Sequence, residues 1–168
     1  MCGNLSTDNQ RKASFPPVVG PDCRLLVLGS LPGNASLAAG RYYAHPRNLF
    51  WRIMGELTGA GPDVAYDKRM DILISKQIAL WDVLQSCVRE GSLDADIQKE
   101  VANDFSGFFK SHPYITHIFF NGQKAFKTYQ SCRFESTATL SVLPSTSPAH
   151  AALSFDDKLQ MWSKILSV

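Results

Sequence analysis

The chain has 168 residues and a formal charge of +2, with 45% hydrophobic and 19% charged side chains. That length suffices for one domain with its own core, and no apolar run approaches the length that crosses a bilayer. No basic-then-apolar leader opens the sequence, so an intracellular protein is expected, outside any membrane.

The small net charge does not by itself announce a nucleic-acid binder, although a basic face remains open. The four cysteines, Cys2, Cys23, Cys87 and Cys132, form no C-x-x-C pair, and no His-x-x-x-His spacing accompanies them. Free, mostly buried thiols are expected in place of a zinc site.

Residues 1–22 are polar and then Pro-rich, which reads as a flexible tail and extended lead-in to one domain over 23–168. Leu25 to Leu28 is an apolar run stopped by Gly29, the pattern of a strand buried on both faces. A long loop from Ser30 to Asn48 follows, and a helix opens near Asn48 and ends before Gly59. Val64 to Lys76 reads as a helix, and Ile78 to Leu84 as a second strand that carries Asp82 near its end.

Ile97, Val101, Phe105 and Phe108 have helical spacing, so a helix is expected over 94–109. Ile115 to Phe120 is a third strand stopped by Asn121-Gly122, with a helix from Gln123 to Tyr129. Thr137 to Leu143 is a fourth strand, and Leu153 to Leu166 a last amphipathic helix. Strands alternating with helices predict an α/β chain, a three-layer α/β/α sandwich around a central, mostly parallel four-stranded sheet. Its C-terminal strand ends, at Gly29 to Gly33, Asp82, Asn121-Gly122 and Pro144 to Pro148, should share one crevice.

Several chemistries are absent from the sequence. No G-x-x-x-x-G-K-[ST] and no complete G-x-G-x-x-G occur, so neither a nucleoside triphosphate nor a dinucleotide is supported. There is no H-x-E with P-C-x-x-C, and no G-x-S-x-G elbow around a serine. Hydrolysis without metal or cofactor stays open.

The pattern Gly29-Ser30-Leu31-Pro32-Gly33, followed by Tyr42-Tyr43-Ala44-His45-Pro46-Arg47-Asn48-Leu49-Phe50-Trp51, resembles motif one of the uracil-DNA glycosylase superfamily. Leu143-Pro144-Ser145-Thr146-Ser147-Pro148-Ala149-His150-Ala151 resembles its minor-groove loop. With Ala79 to Leu84, the residues Arg89, Gly91-Ser92 and Asp94 after it, and Phe119 to Gly122, the set is most similar to the deoxyinosine (hypoxanthine-DNA) branch. The likeness runs from about Leu25 to Leu166, with the motifs in order.

The resemblance implies a monofunctional, monomeric DNA glycosylase that flips a deaminated base, chiefly hypoxanthine, and hydrolyses its N-glycosidic bond with a positioned water. It implies no cofactor, no metal, and single- or double-stranded DNA as the partner. The location follows the DNA: cytoplasmic and nucleoid-associated in a prokaryote, nuclear in a eukaryote. Cys2, Cys23, Cys87 and Cys132 lack the spacing of an iron–sulfur cluster.

In many superfamily members an Asn at the third position of motif one holds the water; here that residue is Leu31. The deoxyinosine branch implies that Asn48 substitutes, although Asn is also a favoured N-cap. Ser30, Leu31 and Gly33 are then expected to bind the departing base through backbone or side-chain donors, with Gly29 shaping the pocket. Tyr43 is expected to stack on the base or to belong to the core, and His45 to contact base or phosphate or to brace the loop. Asp82 is expected to accept from the base edge or to pair with Arg89. Asn121 is expected at the base edge or in a strand-to-helix turn. Ser145, Thr146, Ser147, Pro148 and His150 are the expected DNA-facing loop, with Arg47, Lys124, Arg41 and Lys127 as phosphate contacts. Uracil removal, a non-catalytic lesion-binding module and a small-molecule nucleoside hydrolase are the competing readings.

Overall fold

The computed structural model describes residues 11–89 and 97–168. In chain order these form β1 (Arg11–Ala13), β2 (Leu25–Gly29), α1 (Asn34–Ala39), α2 (Phe50–Thr58), α3 (Tyr66–Ser75) and β3 (Ile78–Asp82). Next come β4 (Leu84–Arg89), β5 (Ile97–Ala102), α4 (Phe105–Ser111), β6 (His117–Asn121), α5 (Gln123–Ser131), β7 (Thr139–Leu143) and α6 (Phe155–Trp162). A 3-10 turn at Ser163–Leu166 follows.

Four strands form a parallel sheet in the order β3-β2-β6-β7. Its side chains divide by parity, because successive residues of a strand face opposite ways. Leu25, Val27, Ile78, Leu80 and Phe119 pack with Phe50, Ile53, Met54, Leu73 and Trp162, under α2, α3 and α6. Leu26, Leu28, Ala79, Trp81, Ile118 and Phe120 pack with Phe105, Phe108, Ala125 and Tyr129, under α4 and α5. Helices therefore cover both faces, which makes the three-layer α/β/α sandwich expected from the alternation of patterns. Each of the Val, Leu, Ile, Phe and Met side chains among these stabilises the fold by about 1.5–3 kcal/mol through burial.

Four expectations need correction. The stretch read as a helix over 94–109 is strand β5 followed by helix α4, residues 94–96 lying outside the described part. The loop after β2 contains a short helix, α1. The second strand breaks at Val83, where β3 passes into β4 of an antiparallel sheet ordered β1-β4-β5. Finally, the described part of the lead-in lies on the domain. β1 pairs with β4, Val18 bridges to Leu80, and the carbonyls of Phe15 and Pro16 accept from Trp81 Nε1 (3.1 Å) and the Tyr42 hydroxyl (2.9 Å).

No helix among the described residues is long and apolar enough to cross a membrane.

Candidate active site

The ends of β2, β3, β6 and β7 open into one cavity of about 520 Å³, lined by Gly29 to Ser36, Tyr42, Tyr43, His45, Asn48, Asp82, Asn121 to Lys124 and Ser145 to His150. Most of the residues singled out from the sequence are brought together here. Arg47 does not line it, and Leu31 turns a largely buried side chain against Leu84 and Cys87.

The floor is set by the register of the sheet. Gly29 lies opposite Asp82, and the strands stay bonded beyond it, Val83 N–H donating to the Gly29 carbonyl and Leu84 N–H to that of Ser30. A Cβ on residue 29 would sit 2.6 Å from Asp82 Oδ1 and 2.9 Å from the Tyr43 hydroxyl. Only glycine lets that carboxylate and that phenol close over the strand end. Asp82 is 3% exposed, and a carboxylate so placed is expensive without a specific use. Asn103 was not singled out from the sequence, and no pattern there marks it. Its buried side chain donates to the Asp82 carbonyl (2.8 Å) and fixes this strand end.

Tyr43 is held in the left-handed region, with φ 53°, a conformation that a non-glycine residue keeps only when its surroundings impose it. The constraint is visible one residue earlier. Tyr42 N–H donates to the Tyr66 hydroxyl (2.9 Å), and the Tyr42 carbonyl accepts from Trp51 Nε1 (2.8 Å). Burial above all, with Asp82 adding to it, raises the pKa of the Tyr42 phenol, which stays protonated as donor to Pro16. Tyr43 itself stacks on Phe50, centroids 4.0 Å apart, while its edge reaches the cavity. It belongs to the core and to the pocket wall at once.

The next residues fold into a tight polar turn. His45 Nδ1 accepts from Arg47 N–H (3.1 Å), and the His45 carbonyl from Asn48 N–H (2.9 Å). The imidazole thus braces the loop through one nitrogen. Asn48 Oδ1 accepts from Phe50 N–H (3.0 Å), a turn bond to the first residue of α2 made from just before its N-cap, Leu49. That bond fixes the plane of the amide, which still lines the cavity. An amide oxygen has a second lone pair, and its NH2 two donors.

The loop between β7 and α6 is anchored at three points. Trp162 Nε1 donates to the Pro144 carbonyl (2.9 Å), and Lys158 Nζ to the His150 carbonyl (2.5 Å). Between them Thr146, fully buried, is gripped twice by Asn121: Nδ2 donates to Thr146 Oγ1 (2.9 Å) and Thr146 N–H to Oδ1 (2.9 Å). The Thr146 carbonyl accepts from Leu49 N–H (3.0 Å), tying this loop to the turn around Asn48. Gly122, at φ 94°, has its missing Cβ 3.0 Å from the Ser145 Cβ, so the two strand exits touch there.

These bonds place three of the expected residues. Thr146 is fully buried and its hydroxyl accepts from Asn121, a placement that the run of hydroxyls in the sequence does not mark. Asn121 spends both ends of its amide on Thr146 and braces the wall. Lys124 forms an ion pair with Glu100 of β5 (2.8 Å) and is not an unengaged phosphate contact. On the other flank Lys12 donates to Asn34 Oδ1, so the small sheet touches the cavity rim from both sides. Gly33 caps α1 with ordinary φ −71°, and a Cβ there would meet open space. Ser147 and Pro148 line the cavity, while His150 is exposed at its edge. Arg41 lies over the Tyr66 ring (5.4 Å), and Arg47 and Lys127 are exposed. The Arg89 side chain, Gly91, Ser92 and Asp94 lie outside the described part, so the Asp82–Arg89 pairing has no structural account. Among the described residues no three His, Cys, Asp or Glu side chains gather as metal ligands.

Residues 16–166 match the model of the uracil DNA glycosylase superfamily. A hypoxanthine DNA glycosylase of Methanosarcina acetivorans is 40% identical over 144 residues, 85% of this chain and 90% of that protein. One from Methanosarcina barkeri is 39% identical over 116 residues, 68% of this chain and 73% of that protein. The solution NMR structure of a Methanosarcina acetivorans protein described as a candidate uracil DNA glycosylase superposes with a TM-score of 0.81. It is 37% identical, over 93% of this chain and 96% of that one.

Proposed function

This chain belongs to the uracil DNA glycosylase superfamily, and from that premise we propose that it is a monofunctional DNA glycosylase excising deaminated purine, chiefly hypoxanthine. The observation that carries the reading is the meeting of both motif loops, Gly29 to Asn48 and Ser145 to His150, in one cavity with a buried carboxylate on its floor. The identity to two proteins named hypoxanthine DNA glycosylase supports the choice of base.

In this reading the deoxyinosine is extruded into the cavity, its hypoxanthine resting against Tyr43. Asp82 accepts from the purine N1–H, and backbone donors of Ser30 to Gly33 receive the charge that builds on the leaving base. The Asn48 amide, its plane set by Phe50 N–H, holds the water that attacks C1′. The C1′–N9 bond breaks with its electron pair leaving on the base, the water oxygen bonds C1′, and the water proton passes to solvent or to the departing base. Nothing in the scheme needs a cofactor, and the lysine that borders the cavity, Lys124, is paired with Glu100, so the scheme assigns no amine nucleophile for a lyase path. Action as a monomer is part of the same proposal. The location would follow the DNA.

A second enzymatic reading, uracil excision, is favoured by the name of the NMR relative. A non-catalytic lesion binder is favoured by Leu31 standing where many relatives have Asn. Oligonucleotides with one deoxyinosine or deoxyuridine, cleaved by alkali at any abasic product, separate the three. Faster product from deoxyinosine is expected. Faster product from deoxyuridine selects the uracil reading, and binding without product from either base selects the lesion binder.

A further inference from the structure

Lys158 lies on α6 with 1% of its surface exposed. Among the described residues it forms no ion pair. A lysine so covered is rare, because the ammonium loses its water shell, and a Met or Leu would pack the same space without that cost. Desolvation lowers its pKa accordingly. Its Nζ meets the His150 carbonyl at 2.5 Å. Four residues on, and so on the same side of the helix, Trp162 Nε1 meets the Pro144 carbonyl at 2.9 Å. One helix therefore grips both ends of the loop from Pro144 to His150, and Ala149 and His150 are its exposed crest.

We propose that Lys158 is a positioning residue for duplex DNA: its ammonium clamps the His150 carbonyl, holding the crest of the loop in shape, and places behind it a cation that pairs with no carboxylate among the described residues. This rests on the reading of the loop as the DNA-facing surface of a glycosylase. A rigid crest suits a groove of fixed width, whereas a single strand adapts to whatever it meets. A charge held away from solvent is also screened less by salt than one at the end of a mobile surface chain.

The test uses the wild-type chain, Lys158→Met and Lys158→Arg, with one deoxyinosine oligonucleotide presented as duplex and as single strand. Affinities are read by fluorescence anisotropy and do not depend on turnover. Lys158→Met is expected to weaken duplex binding by about tenfold or more, the worth of a hydrogen bond to a charged donor. Single-strand affinity should change by less than about twofold, Lys158→Arg should recover most of the loss, and thermal unfolding of the Met variant should be no earlier than wild type. Unchanged duplex affinity overturns the proposal, as does an equal loss on both substrates. Absence of product from the wild-type chain would instead strike the glycosylase reading, leaving the binding comparison to decide on Lys158.

Discussion

Asn48 holds two commitments, a bond to Phe50 N–H that starts α2 and a place on the cavity wall. The first explains how the second is kept accurate, since an amide pinned at one lone pair presents its remaining groups in a fixed direction. Asn48→Ala should therefore cost about 2–4 kcal/mol of transition-state stabilisation, but only about 1 kcal/mol of folding stability. Single-turnover rates and urea unfolding on the same variant separate the two, and wild-type turnover would leave Asn48 as a turn residue alone. Asp82 poses the complementary question. Changing Asp82 to Asn keeps the shape above Gly29 but swaps one acceptor for a donor. The preference for deoxyinosine over deoxyuridine should fall by about tenfold or more while DNA affinity stays put, because a recognition pair left unmatched is what a site penalises most. An unchanged ratio in the substrate panel removes Asp82 from base recognition.

At the level of elements, the small antiparallel sheet deserves a functional test because it touches the cavity rim through two lysines. The Glu100 carboxylate neutralises Lys124, which opens α5 beside the cavity. Glu100→Gln should release that charge, tighten DNA binding at low salt and steepen the salt dependence by about one counterion. A titration series across salt concentrations reads it, and an unchanged slope keeps Lys124 out of the interface. This sheet was also where sequence reading failed. Ile97, Val101, Phe105 and Phe108 fall at helical intervals by accident, two from a strand and two from the helix that follows. β1 is three residues, Arg-Lys-Ala, with no apolar alternation to announce it. β2, β3 and β6 were legible because burial on both faces writes unbroken apolar runs such as Leu25 to Leu28, whereas the edge strand β7, Thr139–Leu143, is largely exposed and alternates. The crevice was legible too, since topology puts parallel strand ends together. What the sequence could not convey was which polar side chain is buried: Thr146 and Ser147 both border the cavity, yet Thr146 is fully buried against Asn121 and Ser147 stays partly exposed.

The whole molecule adds constraints that no element carries alone. The lead-in is stitched across the sandwich through Tyr42, Leu80 and Trp81. A chain beginning at Val19 should lose about 4 kcal/mol of stability or more, from the six hydrogen bonds of Ser14, Phe15, Pro16 and Val18, the β1–β4 pairing and the Phe15–Tyr42 contact. Urea unfolding measures it, and an unchanged midpoint would make the segment ornamental. Lys158 gives the fold a pH signature of known sign. Its folded pKa lies below the ordinary lysine value, so between the two the unfolded chain binds more protons and stability rises with pH. Wild type should gain on Lys158→Met across that alkaline window. A difference that stays flat with pH would mean the lysine titrates normally when folded.

The segment from Tyr42 to Leu49 is held at its two ends by groups outside it, Trp51 and Tyr66 on the Tyr42 backbone and Thr146 on that of Leu49, while His45 and Asn48 brace the turn between them through their own bonds. Its scaffold and its reagents are thus separable inheritances. Mutations at the cavity-facing positions can change what the pocket destroys while the loop keeps its path. A lineage can then explore new damaged bases by single substitutions, each intermediate still folded.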